Sequence, residues 1–567
     1  MARTVGIGHQ DFETLILSNN FYIDKTILIK EWWESGDVVT LITRPRRFGK
    51  TLNMSMLEKF FSCRYAGRGD LFEGLAIWEE KAYRDLQGTF PVINISFANA
   101  KERNFQGAKQ SISQILEDIY NKNVFLLEGD LLTEHEKSYF RSVSRGMEET
   151  TAVWAIHKMS DFLSRYYGKK VVLFLDEYDT PMQEAYAGGY WEEMAGFIRS
   201  LLNASFKTNP YLERAMMTGI TRISKESIFS DLNNLEVVTA SSGKYGADFG
   251  FTEQEVFAAL EEFGLSGQKQ EVKEWYDGFT FGEWKDIYNP WSIINFLSAG
   301  ELAPYWANTS SNQLAGQLIR EGSQGIKQEF EKLLNGAAIT TELDEQIVYS
   351  QLGRDEQAIW SLLLAGGYLK VSHYEVFTDE FGNWSPRYTL ELTNFEVKVM
   401  FRKMVRGWFV PAAREYNALV QALLLDDVKA MNLYMNKVSA EMFSYFDTGK
   451  KPSEDEPERF YHGFVLGLMV ELSDRYIITS NRESGFGRYD VMLEPRKQED
   501  GAIILEFKVQ DLEREKTLSD TVTAAVEQIR KKDYAASLYA KGIPKEKIRN
   551  YGFAFCGKKV LVGKGNA

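Results

Sequence analysis

Residues 44–51 read RPRRFGKT and residues 171–179 read VVLFLDEYD, and together they hold the ingredients of a nucleotide site. Gly49, Lys50 and Thr51 form the closing triplet of a phosphate-binding loop. In such a loop glycines let backbone N–H groups converge on phosphate, the lysine reaches the β- and γ-phosphates, and the hydroxyl ligates Mg2+. The usual first glycine is replaced by Arg44, and Pro45 after it has no N–H to donate. Arg46 and Arg47 bring positive charge to the loop instead, with Phe48 just ahead of the triplet. Asp176 would hold the Mg2+ through water, and Glu177 would polarise the attacking water. MTGITRIS (217–224) reads as a further strand whose end could offer Thr218 and Arg222 to a γ-phosphate. Each piece has a plainer reading: a basic turn before a helix, a buried strand ending in surface acids, a structural arginine. The order strand, GKT, helix, then a later apolar strand ending in Asp-Glu favours the nucleotide site.

A second constellation lies in GFGRYDVMLEPRKQEDGAIILEFKV (485–509). RYDVML and AIILEFKV read as strands joined by a polar turn. A hairpin symmetric about Gln498 sets Asp490 opposite Glu506. Glu506 and Lys508, two apart, share one strand face, while Leu505, Phe507 and Val509 take the other. Two carboxylates and a lysine on one face suit metal-dependent phosphodiester cleavage. The carboxylates would hold a hard divalent cation that activates a water, and Lys508 would orient that water or neutralise the transition state. The plain alternative is a surface hairpin with an ordinary Glu–Lys pair, worth under ~1 kcal/mol. A helix before the hairpin (YHGFVLGLMVEL) and one after it (TVTAAVEQIRKKDYAASL) favour the first reading. The later helix carries Gln528 roughly two turns from Tyr534, near Lys531 and Lys532.

Positioning the first group requires an α/β layered domain. VVTLIT (38–43), PVINISF (91–97), VVLFLD (171–176) and RAMMTGI (214–220) suit central strands of a parallel sheet covered on both faces. Amphipathic stretches such as TLNMSMLEKFFS and QSISQILEDIYNK alternate with them. From about residue 250 the character changes. GFTEQEVFAALEEFG carries a capping box, Thr252 with Glu255. WYDGFTFGEWKDIYNPWSIINFL, dense in aromatics, Gly and Pro, suits a compact helical or winged-helix-like module with turns. LLLAGGYLKVSHYEVF and RYTLELTNFEV predict a hairpin, and helices dominate 395–446. The polar loop DTGKKPSEDEPERF (447–460) marks a boundary, after which 461–567 reads helix, hairpin, helix, strand. The expected divisions are 1–245, 246–400 and 401–567.

A chain of 567 residues exceeds one core, and 14% aromatic content supports packed cores rather than disorder. No apolar run is long enough to cross a bilayer, and the start, MARTVGIGHQDFETLIL, lacks the apolar centre of a signal peptide. A cytoplasmic protein with no membrane partner is expected. Cys63 and Cys556 are the only cysteines and the five histidines are scattered, which excludes a disulfide framework and a cysteine-rich zinc site. The net charge of −14 argues against indiscriminate coating of nucleic acid. The charge is uneven, however. Residues 401–567 hold 27 basic and 24 acidic side chains, a net of +3, which leaves −17 for residues 1–400. Residues 530–567 hold ten basic side chains against Asp533 and Glu546, a net of +8. A local basic face can meet a phosphate backbone, although a solvated surface is the plainer reading.

FYIDKT (21–26), RPRRFGKT (44–51), FLDEYDTPM (174–182), TGITRISKESIFSDLNNL (218–235), WYDGF (275–279) and YNPWS (288–292) together resemble the AAA-ATPase-like family of bacteria and archaea. Its members commonly carry a C-terminal PD-(D/E)XK nuclease domain. The resemblance covers nearly the whole chain and is weakest around 310–360. It implies an α/β protein: an N-terminal P-loop ATPase domain of AAA/ASCE type with a parallel sheet, a helical or winged-helix-like middle, and a C-terminal α/β PD-(D/E)XK nuclease-like domain. It makes RPRRFGK[ST] the family's normal loop. It implies ATP bound through Arg47, Phe48, Gly49, Lys50 and Thr51, with Asp176 and Glu177 as the acidic pair and Thr218 and Arg222 beyond them. Mg2+ is implied at Thr51 and Asp176. In the C-terminal domain the pattern falls on Asp490, Glu506 and Lys508, with Gln528 in the helix after them. Asp490 and Glu506 would hold Mg2+, with Mn2+ as the substitute. Tyr489 stands where the motif's name has proline. An acidic residue of the first helix is sometimes added, and Glu458 and Glu471 both qualify. AAA-like modules often assemble because a neighbour's arginine completes the ATP site, so a homo-oligomer using Arg222 or an arginine near Arg214 is implied.

The expected function is an ATP-binding and ATP-hydrolysing protein coupled to a Mg2+-dependent nuclease that acts on nucleic acid, DNA before RNA. The alternative is a nucleotide-dependent switch or scaffold whose nuclease fold binds nucleic acid or a partner without cleavage. Retention of Asp490, Glu506 and Lys508 argues against it. A third reading, an ATPase whose C-terminal fold serves only assembly, is disfavoured by the basic tail.

Overall fold

The computed structural model describes residues 3–565 apart from 208, 223–227, 230–231, 308–312, 344–351, 353–354, 379–383, 447–455, 482–487, 498 and 533, together with the side chains of 313, 324, 384, 443–446, 456–460, 481 and 488–490. The chain packs as two compact units. One comprises Met1–Ser311 with Ala338–Val397, the other Asn312–Ala337 with Lys398–Ala567.

The first unit is built on a five-stranded sheet: β1 (Val39–Thr43), β2 (Val92–Ser96), β3 (Val171–Asp176), β4 (Leu212–Gly219) and β5 (Leu235–Val238). The spatial order is β2-β3-β4-β1-β5, and every pairing is parallel. All residues of β1 and β3 are buried, which explains why they are apolar apart from Thr40, Thr43 and the closing Asp176. An aromatic core closes one side of the sheet: Trp32 meets Phe61 at 5.6 Å and Phe174 at 5.7 Å between ring centroids.

The expected strand over 217–224 differs from the observed one. β4 stops at Gly219 because the N–H groups of Ile220 and Thr221 leave the ladder to donate to the Asp179 carboxylate, at 3.0 and 2.9 Å. Residues 223–227 lie outside the described residues.

Residues 246–307 and 338–397 add two small sheets to this unit. β6 (Phe251–Thr252), β7 (Phe279–Phe281) and β8 (Trp284–Tyr288) pair in the order β6-β8-β7. The stretch expected to form a compact helical or winged-helix-like module with turns thus contains a hairpin. It closes at Gly282, whose φ is 56°, and a side chain there would meet the Gly243 nitrogen at 2.3 Å. β9 (Ile339–Thr341), β10 (Leu369–Thr378) and β11 (Trp384–Leu392) form the second sheet, in the order β10-β11-β9. The Thr252–Glu255 capping box is present at the start of the Glu253–Glu262 helix.

The second unit carries a mixed sheet of β12 (Tyr476–Asn481), β13 (Arg488–Pro495), β14 (Ala502–Val509), β15 (Ile548–Cys556) and β16 (Lys559–Lys564), in that spatial order. β14 and β15 are parallel and the other pairs antiparallel. Phe507 turns to one face, where it stacks with Tyr461 (5.7 Å) and meets Phe464 (6.1 Å) of the Glu456–Glu471 helix. The opposite face takes the Leu518–Lys531 helix. Gly552, paired with Glu506, has no side chain because one would meet the Ala525 Cβ at 2.9 Å. Thr521, Ala525 and Gln528 form the buried side of that helix, at the spacing a sheet-facing stripe requires. Sequence reading missed β12 and β16, which extend the hairpin to a five-stranded sheet.

Candidate functional sites

Because β4 lies between β1 and β3, the loop after β1 and the acids after β3 flank its end. Gly49 caps the Lys50–Phe61 helix with φ 78°, and Arg47 has φ 67°. Two left-handed residues in three form the sharp turn that aims backbone N–H groups into the loop. An arginine there is strained, at a cost of order 1–3 kcal/mol. Lys50 is buried, and its Nζ donates to the carbonyl oxygens of Arg44 (2.9 Å) and Pro45 (2.8 Å). Burial pushes the Lys50 ammonium down from its ordinary value, while Glu177 and Asp176 draw it back up. Thr51 Oγ1 donates to Asp176 Oδ2 at 2.7 Å, and Thr218 Oγ1 donates to Asp176 Oδ1. Burial pushes the Asp176 carboxyl up, against the pull of these two hydroxyls. Glu177 has φ 53°, its N–H donates to Thr218 Oγ1 (3.4 Å), and its carboxylate accepts from Thr180 Oγ1 (3.1 Å). Lys50, Thr51, Asp176, Glu177 and Thr218 are therefore brought together. Arg222 lines a small cavity of about 30 Å³ with Thr43, Thr239, Ser241 and Ser361.

The residue in the place of the first glycine has a different task. Arg44 is fully buried. Its guanidinium donates to the carbonyls of Thr43 (2.9 Å), Thr239 (2.8 Å) and Lys244 (3.1 Å) and lies over the Phe281 ring at 4.3 Å. Burial pushes it down to about 9. Arg44 ties the loop to the segment after β5. Restoring the usual first glycine, Arg44→Gly, is expected to cost about 3–5 kcal/mol, because it opens a cavity and strands buried carbonyls. Urea unfolding measures this, and an unchanged midpoint would contradict the anchoring role.

The rest of the loop is gripped by the same unit's later residues. Phe48 meets Phe279 at 4.8 Å and Phe281 at 5.6 Å. Arg47 lies over Trp291 at 4.4 Å. The Arg46 carbonyl accepts from Trp306 Nε1 (3.1 Å) and Asn289 Nδ2 (3.3 Å). Trp306 is held in turn by its N–H, which donates to the buried Glu396 at 2.6 Å. Burial pushes the Glu396 carboxyl up to about 7.

In the second unit the register sets Asp490 opposite Glu506. Glu506 is completely buried, and among the described residues neither carboxylate oxygen has a hydrogen-bond partner. Gln528 on the facing helix is buried, with its Nε2 also unpartnered. Lys508, two residues from Glu506, lies 3.5 Å from the Glu515 carboxylate. The Asp490 side chain lies outside the described residues, as does that of Glu458. Glu471 pairs with Arg406 at 3.1 Å. An orphaned carboxylate in a dry setting suits a divalent cation, since oxygen ligation would satisfy both of its oxygens.

Residues 6–229 match the family described as "Predicted AAA-ATPase", and residues 456–565 match the PD-(D/E)XK nuclease superfamily. The chain joins an AAA-ATPase-like domain to a PD-(D/E)XK nuclease superfamily domain. It is also 26% identical over 551 residues to an Azotobacter chroococcum mcd 1 protein described as "Uncharacterized protein in vnfD 5'region". That match covers 95% of this chain and 94% of the relative. Among the described residues, no helix is long and apolar enough to cross a membrane.

Sequence reasoning assigned no task to Asp179 of the AAA-ATPase-like domain. It is buried, and its Oδ2 also accepts from Thr221 Oγ1 (2.9 Å) and Gln183 Nε2 (3.0 Å). Gln183 Oε1 in turn accepts from Arg46 (3.2 Å), which links the phosphate loop to the end of β4. Asp179, Asn289 and Trp291 stand within the quoted motifs, so the signal was there without the role. In the PD-(D/E)XK domain Glu515 was missed, and its charged loop offered no signal.

Proposed function

We propose that this chain binds and hydrolyses ATP and is a divalent-metal-dependent nuclease acting on nucleic acid, with DNA as the substrate. The observation that carries the nuclease reading is the buried Glu506, unpartnered at both oxygens among the described residues, set across from Asp490 and two residues from Lys508. Asp490 and Glu506 would hold Mg2+ or Mn2+, which supplies Lewis acidity and a water of lowered pKa. Lys508 would steady the attacking water or the charge growing on the phosphate oxygens. Gln528, buried in the facing helix, would donate its amide toward the same face. For ATP, Gly49 and its neighbours would cradle the phosphates, Lys50 would neutralise them, and Thr51 with Asp176 would hold Mg2+. Glu177 would orient the attacking water, and Thr218 would fix the Asp176 carboxylate between them. Arg222, or an arginine near Arg214, is proposed to act across a homo-oligomer.

The test is cleavage of single- and double-stranded DNA and RNA by the full-length protein, with Mg2+ or Mn2+, with and without ATP, beside Asp490→Ala. Metal-dependent cutting that disappears in the variant supports the proposal, and the ATP arms show whether nucleotide gates it. No cutting in any arm, with ATP still bound, would leave a nucleotide-dependent scaffold as the better reading.

A further inference from the structure

Lys508 ends a flexible stem, and ordering such a side chain costs up to about 2 kcal/mol. A lysine that acts on a phosphate must nonetheless be held to within a fraction of an ångström. β14 alone does not do this, because the chain leaves the sheet two residues later.

Glu515 supplies the missing restraint. Its two oxygens do different things. Oε2 accepts from Thr521 Oγ1 at 2.6 Å and from the Asp511 N–H at 3.1 Å. Oε1 lies 3.5 Å from Lys508 Nζ. Thr521 is itself completely buried on the helix that faces Glu506. The Glu515 backbone is equally fixed: its N–H donates to the Asp511 carbonyl (2.7 Å), and its carbonyl accepts from Gln510 Nε2 (3.2 Å). Gln510 is pinned in turn by its N–H, which donates to the Phe555 carbonyl at 2.8 Å. One oxygen is thus tied to the fold and the other left to the lysine. The Lys508 and Glu515 side chains are only 21% and 13% exposed, so this pair is not a solvated surface bridge of negligible effect. At 3.5 Å it restrains the ammonium without closing a tight hydrogen bond, so its N–H groups stay available to a phosphate oxygen.

We infer that Glu515 is a positioning residue for Lys508, acting through a carboxylate that the Thr521 hydroxyl and the Asp511 amide lock in place. The inference rests on the nuclease reading of the Asp490, Glu506 and Lys508 face. Glu515→Gln separates charge from shape, since the amide oxygen can still accept from Thr521 and Asp511.

The full-length variant is compared with wild type in three measurements. Reductive methylation read by mass spectrometry should label Lys508 about 3-fold faster or more once its restraint is lost, with Lys531 as the exposed internal standard. Calorimetric titration with Mn2+ alone should give wild-type affinity, whereas Glu506→Gln should lose binding. Steady-state cleavage of a labelled oligonucleotide should show kcat lowered about 10- to 100-fold with KM unchanged.

Unchanged Lys508 labelling would overturn the inference, whatever the cleavage result. Loss of Mn2+ binding would overturn it too, making Glu515 a metal ligand. Unchanged kcat would show that Lys508 needs no such positioning. A wild-type protein that cuts nothing would instead remove the nuclease reading, and the positioning role with it, while altered labelling would still establish the pair.

Discussion

Replacing Glu506 by glutamine is expected to make the metal-free protein more stable and the enzyme inactive. The carboxylate is fully buried, and neither oxygen is hydrogen-bonded among the described residues. An ionised group in that setting carries a desolvation penalty of several kcal/mol, and a neutral amide of the same shape carries less. A gain of about 1–3 kcal/mol follows, which moves the melting transition of a unit this size up by roughly 2–4 °C per kcal/mol. Added Mn2+ should raise the melting temperature of the wild type, because only the folded state would present the proposed site, and should leave the variant unmoved. On the proposed nuclease reading, cleavage should fall on the order of 10³-fold or more, since the cation would lose one of the two carboxylates proposed to hold it. Calorimetric melting with and without metal, run beside the cleavage assay, reads all three effects. A variant that melts lower without metal would show that Glu506 has a structural partner, and the metal reading would lose its main support. Stability held back at one residue is the pattern a functional site produces.

What the sequence disclosed, and what it hid, follows from the range of the interactions. β1 and β3 were legible because strands buried on both faces are apolar along most of their length rather than alternating. The Asp490–Glu506 pairing was legible because strand side chains alternate with a period of two, so a hairpin's centre fixes its register and its faces. Arg44 was not legible. Its partners lie at Thr239 and Lys244, about two hundred residues away, and an arginine in a phosphate loop reads as a phosphate ligand until its burial is known. Glu515 sits in a run of mixed charge that looks solvated, and only the fold brings Thr521 and Lys508 to its two oxygens. The end of β4 was overrun because Asp179 captures two amides that would otherwise extend the ladder. The grouping of 312–337 with the C-terminal unit likewise has no compositional mark.

Lys50→Ala is expected to weaken ATP binding by about 100-fold or more, roughly 3 kcal/mol. The loop's other cations are already committed: Arg44 to backbone carbonyls, Arg46 to Gln183 and Arg47 to the face of Trp291. That leaves Lys50 as the cation whose Nζ rests inside the loop, on the carbonyls of Arg44 and Pro45. Phosphate oxygens would take the place of those carbonyls, and their negative charge would favour the protonated amine that burial disfavours. Lys50→Arg should not rescue binding, because the side chain is buried and a planar guanidinium does not fit the space of a compact ammonium. Fluorescent-nucleotide titration of both variants gives the affinities. Thr51→Ala tests the neighbouring element separately. It removes a hydroxyl from Asp176 while sparing the lysine, so it should weaken binding chiefly when Mg2+ is present. If Lys50→Ala bound ATP as wild type does, the loss of the first glycine would have turned RPRRFGKT into a structural turn. If affinity collapses in Lys50→Ala and only the Mg2+-dependent part is lost in Thr51→Ala, then a loop with an arginine for its first glycine still cradles phosphate. The arginine then serves as the strut that holds the cradle's rim.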